Sequence, residues 1–188
     1  MKINLLTPMT AEKEKLEEAL HSFGSLRHSY EVTKSGIGRE NTAKAMLNKP
    51  KSDLCVLVGF AAIVGQERTL PAELRKGELA EVTASSLFGY RGEIFENGKL
   101  RLAQPKTQLP HLPSLTSDKF ITATDIPVGT LISMEDYTFM CLKREQDFIL
   151  RVISDFLPHR EEIDFFEEIK SIRFNKVMEV LEKIQQFS

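Results

Sequence analysis

Leu54-Cys55-Val56-Leu57-Val58-Gly59 is the stretch on which the fold turns. Five consecutive apolar residues leave a strand no polar face, and such a strand belongs inside a sheet with helices packed on both sides. Gly59 then reads as the opening of a tight turn. Phe148 to Ile153 (Phe-Ile-Leu-Arg-Val-Ile) is a second run of the same kind, ending at Ser154-Asp155. Its one charged residue, Arg151, needs an ion-pair partner if the strand is buried. Ile3 to Leu6 is a shorter strand candidate. Tyr30 to Thr33 is a weaker one, and it ends in the strand-to-helix turn Ser35-Gly36-Ile37-Gly38.

Amphipathic segments lie between these runs. Thr10 reads as the N-cap of a helix that places Leu16 and Leu20 on one face at i, i+4. The next helix runs to about Leu47 and stops before Pro50. From Gly77 to Pro113 the pattern changes: Gly89, Gly92, Asn97-Gly98 and three prolines predict hairpins and loops. Phe120 to Ala123 is a further strand candidate, and Ser133 to about Arg144 a helix. Glu161 to about Gln186 reads as one long amphipathic helix, with Phe165, Ile169, Ile172, Val177, Val180 and Ile184 on its apolar stripe. Strands alternating with helices predict an α/β fold, and with no repeat or linker in sight, residues 1–188 read as one domain.

Composition narrows the function. Hydrophobic residues make up 41% and charged residues 28%, a globular balance. A formal net charge of -2 gives no electrostatic case for nucleic acid or an anionic membrane as partner. Cys55 and Cys141 are far apart and read as reduced thiols, one in an apolar run and one in a helix. No Cys or His spacing supports a metal site. His21, His28, His111 and His159 read as surface or loop residues. The start, Met-Lys-Ile-Asn-Leu-Leu followed by Thr and Pro, is too short an apolar run for a signal peptide, and no stretch approaches spanning length. A cytoplasmic protein is expected.

In open α/β sheets ligands bind beyond the carboxyl ends of the strands. That rule points to Thr7 to Glu12, to Gly36-Ile37-Gly38, to Gly59-Phe60-Ala61-Ala62 and to Ser154-Asp155, with Met134-Glu135 added at a helix start. Glu12, Glu135 and Asp155 are then three carboxylates available to one crevice. Read blandly, Glu12 is a solvated helix residue, Glu135 a first-turn carboxylate and Asp155 a turn cap.

These same residues carry a resemblance. The opening from Met1-Lys2-Ile3 through Met9 and Glu12 resembles that of the methylthioadenosine/S-adenosylhomocysteine nucleosidases, in the nucleoside phosphorylase and nucleosidase superfamily. Lys34-Ser35-Gly36-Ile37-Gly38 resembles that family's turn after its early strands, and Asp53 to Ala62 the strand leading into its Gly-Ser-Ala-Gly-Gly loop. Lys76-Gly77-Glu78, Ser133-Met134-Glu135 and Arg151-Val152-Ile153-Ser154-Asp155 follow in the family's order. The futalosine hydrolases, relatives of that family, have starts that resemble Leu5-Leu6-Thr7-Pro8.

The resemblance implies an abbreviated, single-domain, three-layer α/β/α fold with a mixed central sheet, working as a homodimer without cofactor or metal. It implies hydrolysis of the bond between ribose and a purine-type base. Asp155 would protonate the departing base and Glu12 would activate water. Met134 and Glu135 would grip the ribose, Phe60, Val128 and Ser154 would line the substrate, and Arg151 would support the carboxylates. A carboxyl that donates near neutral pH has to keep its proton there, which burial or nearby negative charge promotes. Thr7-Pro8-Met9-Thr10 offers no Arg or Gly to hold phosphate, which favours water as the nucleophile. Phe60 stands where the family has Ser, and Pro127 where it has the aromatic that stacks on the base. Those departures support a second reading, in which the chain binds a nucleoside or a protein partner without turnover.

Overall fold

The structure, a computed structural model, describes residues 1–88, 101–119, 121, 125–159 and 164–185. Its strands are β1 (Lys2–Thr7), β2 (Ser29–Lys34), β3 (Leu54–Val64), β4 (Leu79–Leu87), β5 (Arg101–Leu102), β6 (His111–Thr116), β7 (Leu131–Ser133) and β8 (Phe148–Leu157). Its helices are α1 (Thr10–Ser22), α2 (Arg39–Asn48), α3 (Asp136–Leu142), α4 (Phe165–Lys170) and α5 (Asn175–Leu181), with a 3₁₀ turn at Ala72–Leu74.

The sheet is mixed. β1 lies between β2 and β3, parallel to both, and β3 runs parallel to β8 on its other side. β4 is antiparallel to β8 and parallel to β6, β6 is parallel to β7, and β7 returns antiparallel onto β3. The strands β3, β8, β4, β6 and β7 therefore pair in a closed cycle, and β1 and β2 extend the sheet from it.

Alternation along β3 sorts the core into two layers. Val56, Val58 and Phe60 pack with Leu16 of α1 and with Phe174, Val177 and Leu181. Cys55, Leu57 and Ala61 pack with Met46 of α2 and with Phe139 and Met140 of α3. Helices thus cover both faces, as strands without a polar side require.

Several boundaries differ from those read in the sequence. Gly59 does not open a turn: β3 passes straight through it to Val64. β8 likewise continues past Ser154-Asp155 to Leu157, with a register shift against β3 between Ala61 and Ile63. The N-cap of α1 is Met9, one residue before Thr10. Ser133 ends β7 instead of starting a helix, and its Oγ accepts the N–H of Asp136, the first residue of α3. Between Gly77 and Pro113 stand the nine-residue β4 and the short β5, which pair antiparallel as the hairpin reading expects, while β4 and β6 pair in parallel. The turn signals at Gly89, Gly92 and Asn97-Gly98 lie outside the described residues, as does the strand read over Phe120 to Ala123, Ile121 excepted.

The single C-terminal helix read over Glu161 to Gln186 is, among the described residues, two short helices. Ile172 and Phe174 between them are both buried in the core. Residues two apart on one helix point about 200° apart, so a continuous helix would expel one of them. Lys15 of α1 caps the break by donating through Nζ to the carbonyls of Lys170 and Ile172.

Candidate active site

β1 ends at Thr7, while β3 runs on for seven residues past its last pairing with β1, at Leu57. The first turn of α1 sets Glu12 at the carboxyl end of β1, against this extension of β3. The carboxylate is 2% exposed. Its Oε2 accepts the Met9 N–H at 2.8 Å and the Thr7 hydroxyl at 3.1 Å, and its Oε1 accepts the Phe60 N–H at 2.7 Å. Burial is the largest influence on it and raises its pKa from the usual 4.5 to about 7. The Phe60 N–H and the Arg151 charge pull the other way, and the neighbouring Glu135 adds to the rise.

Arg151 of β8 is fully buried beside it. Its Nε and Nη2 donate to Asp136 Oδ1 at 2.9 and 2.6 Å, Nη2 also to Glu135 Oε2 at 3.0 Å, and Nη1 to the Phe60 carbonyl at 3.3 Å. Burial opposes its charge, but Asp136 and Glu135 hold its pKa above even the ordinary arginine value. Glu135, in the bend between β7 and α3, accepts the Gly38 N–H on Oε1 at 2.9 Å. Gly38 sits at φ 91°, the left-handed region open to glycine, and that conformation aims its N–H across from the head of α2. The Gly36-Ile37-Gly38 turn is therefore an anchor for Glu135.

Gly59 is what lets these groups meet. A Cβ there would lie 2.5 Å from Arg151 Nη1 and 2.7 Å from Glu12 Oε1. A glycine inside a strand marks such close approach.

Ser154 and Asp155 form a second cluster toward the end of β8. Arg151 and Asp155 are four residues apart, at most about 13 Å of extended strand, a separation on the scale of a nucleoside. Asp155 Oδ1 accepts the Ser154 hydroxyl, and Oδ2 lies 2.7 Å from His159 Nε2. This pair lines an open groove with Gly65, Arg68, Lys76 and Glu168.

The structure thus joins Glu12, Glu135 and Arg151 in one hydrogen-bonded network and puts Ser154 and Asp155 further along the same strand. Met134 is half-buried beside Glu135. Val128 is 72% exposed in the turn before β7. Phe60 meets Glu12 only through its backbone. Its ring packs edge-on against Phe174 and Phe165 at centroid distances of 5.0 and 6.2 Å, so the side chain belongs to the core. Two participants escaped the sequence reading. Asp136 is the buried partner that Arg151 required, adjacent in sequence to Glu135. His159, read as a loop residue, stands at i+4 from Asp155 and pairs with it.

Glu12 also gives a stability signature. Its folded pKa is raised, so the folded state keeps a proton between pH 4.5 and 7 that the unfolded chain gives up. Its contribution is complete below pH 4.5 and is lost as pH rises through 7, by up to about 3 kcal/mol. Urea unfolding from pH 5 to 8 is expected to show that decline, and Glu12→Gln to flatten it. An unchanged slope in the variant would refute the buried, near-neutral carboxyl.

No protein-family model matches the sequence, and no curated protein matches it. Solved structures do. The fold is shared with solved nucleosidase structures. Among them the chain is similar to a Campylobacter jejuni 5′-methylthioadenosine/S-adenosylhomocysteine nucleosidase, with a TM-score of 0.70 and 21% identity over 98% of this chain and 100% of that one. A Chlamydia trachomatis nucleosidase bound to adenine gives 0.66 at 18% identity, covering 96% and 95%. An Arabidopsis thaliana 5′-methylthioadenosine nucleosidase gives 0.64 at 15% identity, covering 96% and 91%. No helix among the described residues is long and apolar enough to cross a membrane.

Proposed function

We propose that this chain hydrolyses the N-glycosidic bond of a purine-type nucleoside. The observation that carries the reading is Glu12: a buried carboxyl brought to about 7 at the carboxyl end of a strand, where a ligand of an α/β sheet sits. A base poised near neutral pH can take a proton from water as the water attacks C1′. Glu135, fixed by the Gly38 N–H and Arg151, offers carboxylate oxygens to the ribose hydroxyls. Asp155, further along β8, delivers a proton to the departing base. Arg151 is committed to Asp136, Glu135 and the Phe60 carbonyl, which leaves it unsuited to hold a phosphate nucleophile and supports hydrolysis over phosphorolysis.

The fold likeness to structures whose names say they cleave methylthioadenosine and S-adenosylhomocysteine supports adenine nucleosides with a 5′ thioether as the first class to try. Futalosine is the runner-up, on the resemblance of the first strand. The resemblance to the nucleosidases carries the expectation of a homodimer, and the sequence pattern that of one cytoplasmic domain.

Free-base release from methylthioadenosine, S-adenosylhomocysteine, inosine, adenosine and futalosine, with and without phosphate, tests the reading. Release independent of phosphate is expected. It should fall by about 10²–10⁴-fold in Glu12→Gln and in Asp155→Asn, the range for one acid or base group. Release that requires phosphate would make the chain a phosphorylase. No release from any substrate by the folded protein would favour the binding reading.

A further inference from the structure

Resting on that hydrolase reading, the geometry points to His159 as the proton source for the base-protonating Asp155: a positioning residue that acts on the leaving group through the carboxyl it faces. His159 Nε2 and Asp155 Oδ2 are 2.7 Å apart. An imidazole nitrogen and a carboxyl oxygen approach that closely only with a proton between them, carried by one or the other. The second carboxyl oxygen already accepts the Ser154 hydroxyl. In its protonated form, imidazolium beside carboxylate or imidazole beside carboxylic acid, the pair holds one proton that Oδ2 can pass on, which is what an acid serving a departing base needs.

Among the described residues, the charged groups lining the groove beside this pair are Glu67, Arg68, Lys76 and Glu168. Lys76 is paired with Glu168 of α4, and Arg68 Nε donates to Gln66. Exposure divides the labour within the pair. The Asp155 side chain is 9% exposed and the imidazole 27%, so His159 is the member that exchanges protons with water.

The step balances. The C1′–N bond breaks with its electron pair on the base, and the shared proton passes through Asp155 Oδ2 to the base nitrogen. Water's oxygen bonds to C1′ while Glu12 takes its proton. Asp155 is left as carboxylate beside a neutral imidazole, which takes a proton from solvent; Glu12 returns its own. Free base and ribose product leave, one water having been consumed.

A leaving-group comparison tests this. A purine leaves with a proton, whereas 4-nitrophenolate leaves from a nitrophenyl riboside without one. Glutamine places an N–H where Nε2 stood but cannot surrender a proton. His159→Gln is expected to lower kcat on the purine nucleoside at least about tenfold with KM within twofold, and to leave nitrophenyl riboside turnover as in wild type. Added imidazole should restore part of the purine turnover in His159→Ala. Equal losses on both substrates would make His159 purely structural and overturn the proposal. So would wild-type kcat in His159→Gln, or an effect confined to KM, which would place the ring in the base subsite. A wild-type chain that turns over neither substrate would sink the hydrolase reading itself. Wild-type activity on both, with an indifferent variant, would sink only the proposal.

Discussion

Arg151→Met will cost about 3–5 kcal/mol of folding stability, the penalty for removing one partner of a fully buried ion cluster. The guanidinium makes four hydrogen bonds to three acceptor atoms: it serves Asp136 Oδ1 twice, Glu135 once and the Phe60 carbonyl once, with the Glu12 charge adjacent. Methionine fills the space and leaves Asp136 and Glu135 as buried carboxylates without a counter-charge. The loss should be largest at neutral pH and shrink toward acid pH, where carboxyls take up protons and no longer need the cation. Urea unfolding at pH 5 and pH 7.5 reads both effects. A loss below about 1 kcal/mol, or one that grows toward acid, would show that the cluster is not held by charge. Arg151→Lys should recover only part of the stability, since one ammonium cannot span acceptors that the planar fork reaches together.

Gly59→Ala is the smallest change with a large expected effect. The added methyl would sit within 3 Å of both Arg151 Nη1 and Glu12 Oε1. Those atoms are side-chain ends, but each is buried and hydrogen-bonded, so neither can swing clear without breaking its contacts. Overpacking of this kind costs about 1–3 kcal/mol. Activity should suffer more, by about 100-fold or beyond in kcat/KM, because displacing a catalytic carboxyl by an ångström has that consequence. Gly59 lies in extended β3 without a positive φ, so the effect is one of space and not of backbone strain. A Gly59→Ala protein with wild-type kcat/KM on the substrate found above would remove Glu12 and Arg151 from the reacting centre.

Gly59 also shows where a sequence pattern misleads. After five apolar residues a glycine reads as the end of a strand, yet here it is a strand interior opened for two side chains from elsewhere. The missing signal was the buried Arg151 on a strand 92 residues away, paired in register with Gly59. Only the pairing of β3 with β8 makes one explain the other. His159 was invisible for a related reason. Its i+4 spacing from Asp155 means little in an irregular chain end, and the contact depends on how residues 157–159 leave β8.

By itself the sequence determined that β1, β3 and β8 are strands, with β3 and β8 buried, and that α1 and α2 follow β1 and β2. Apolar runs, turn residues and helical spacing are local properties, and local physics reads them. It also singled out Glu12, Glu135, Arg151 and Asp155 as candidates, from their order along the chain and the elements they flank. The tertiary structure alone decided that the sheet closes through β4, β6 and β7, that the C-terminal helix breaks at Ile172 to Phe174, and that Asp136 is the counter-ion of Arg151. Each of these is a bargain between segments far apart in sequence, in which burial and charge are satisfied only when both partners are in place.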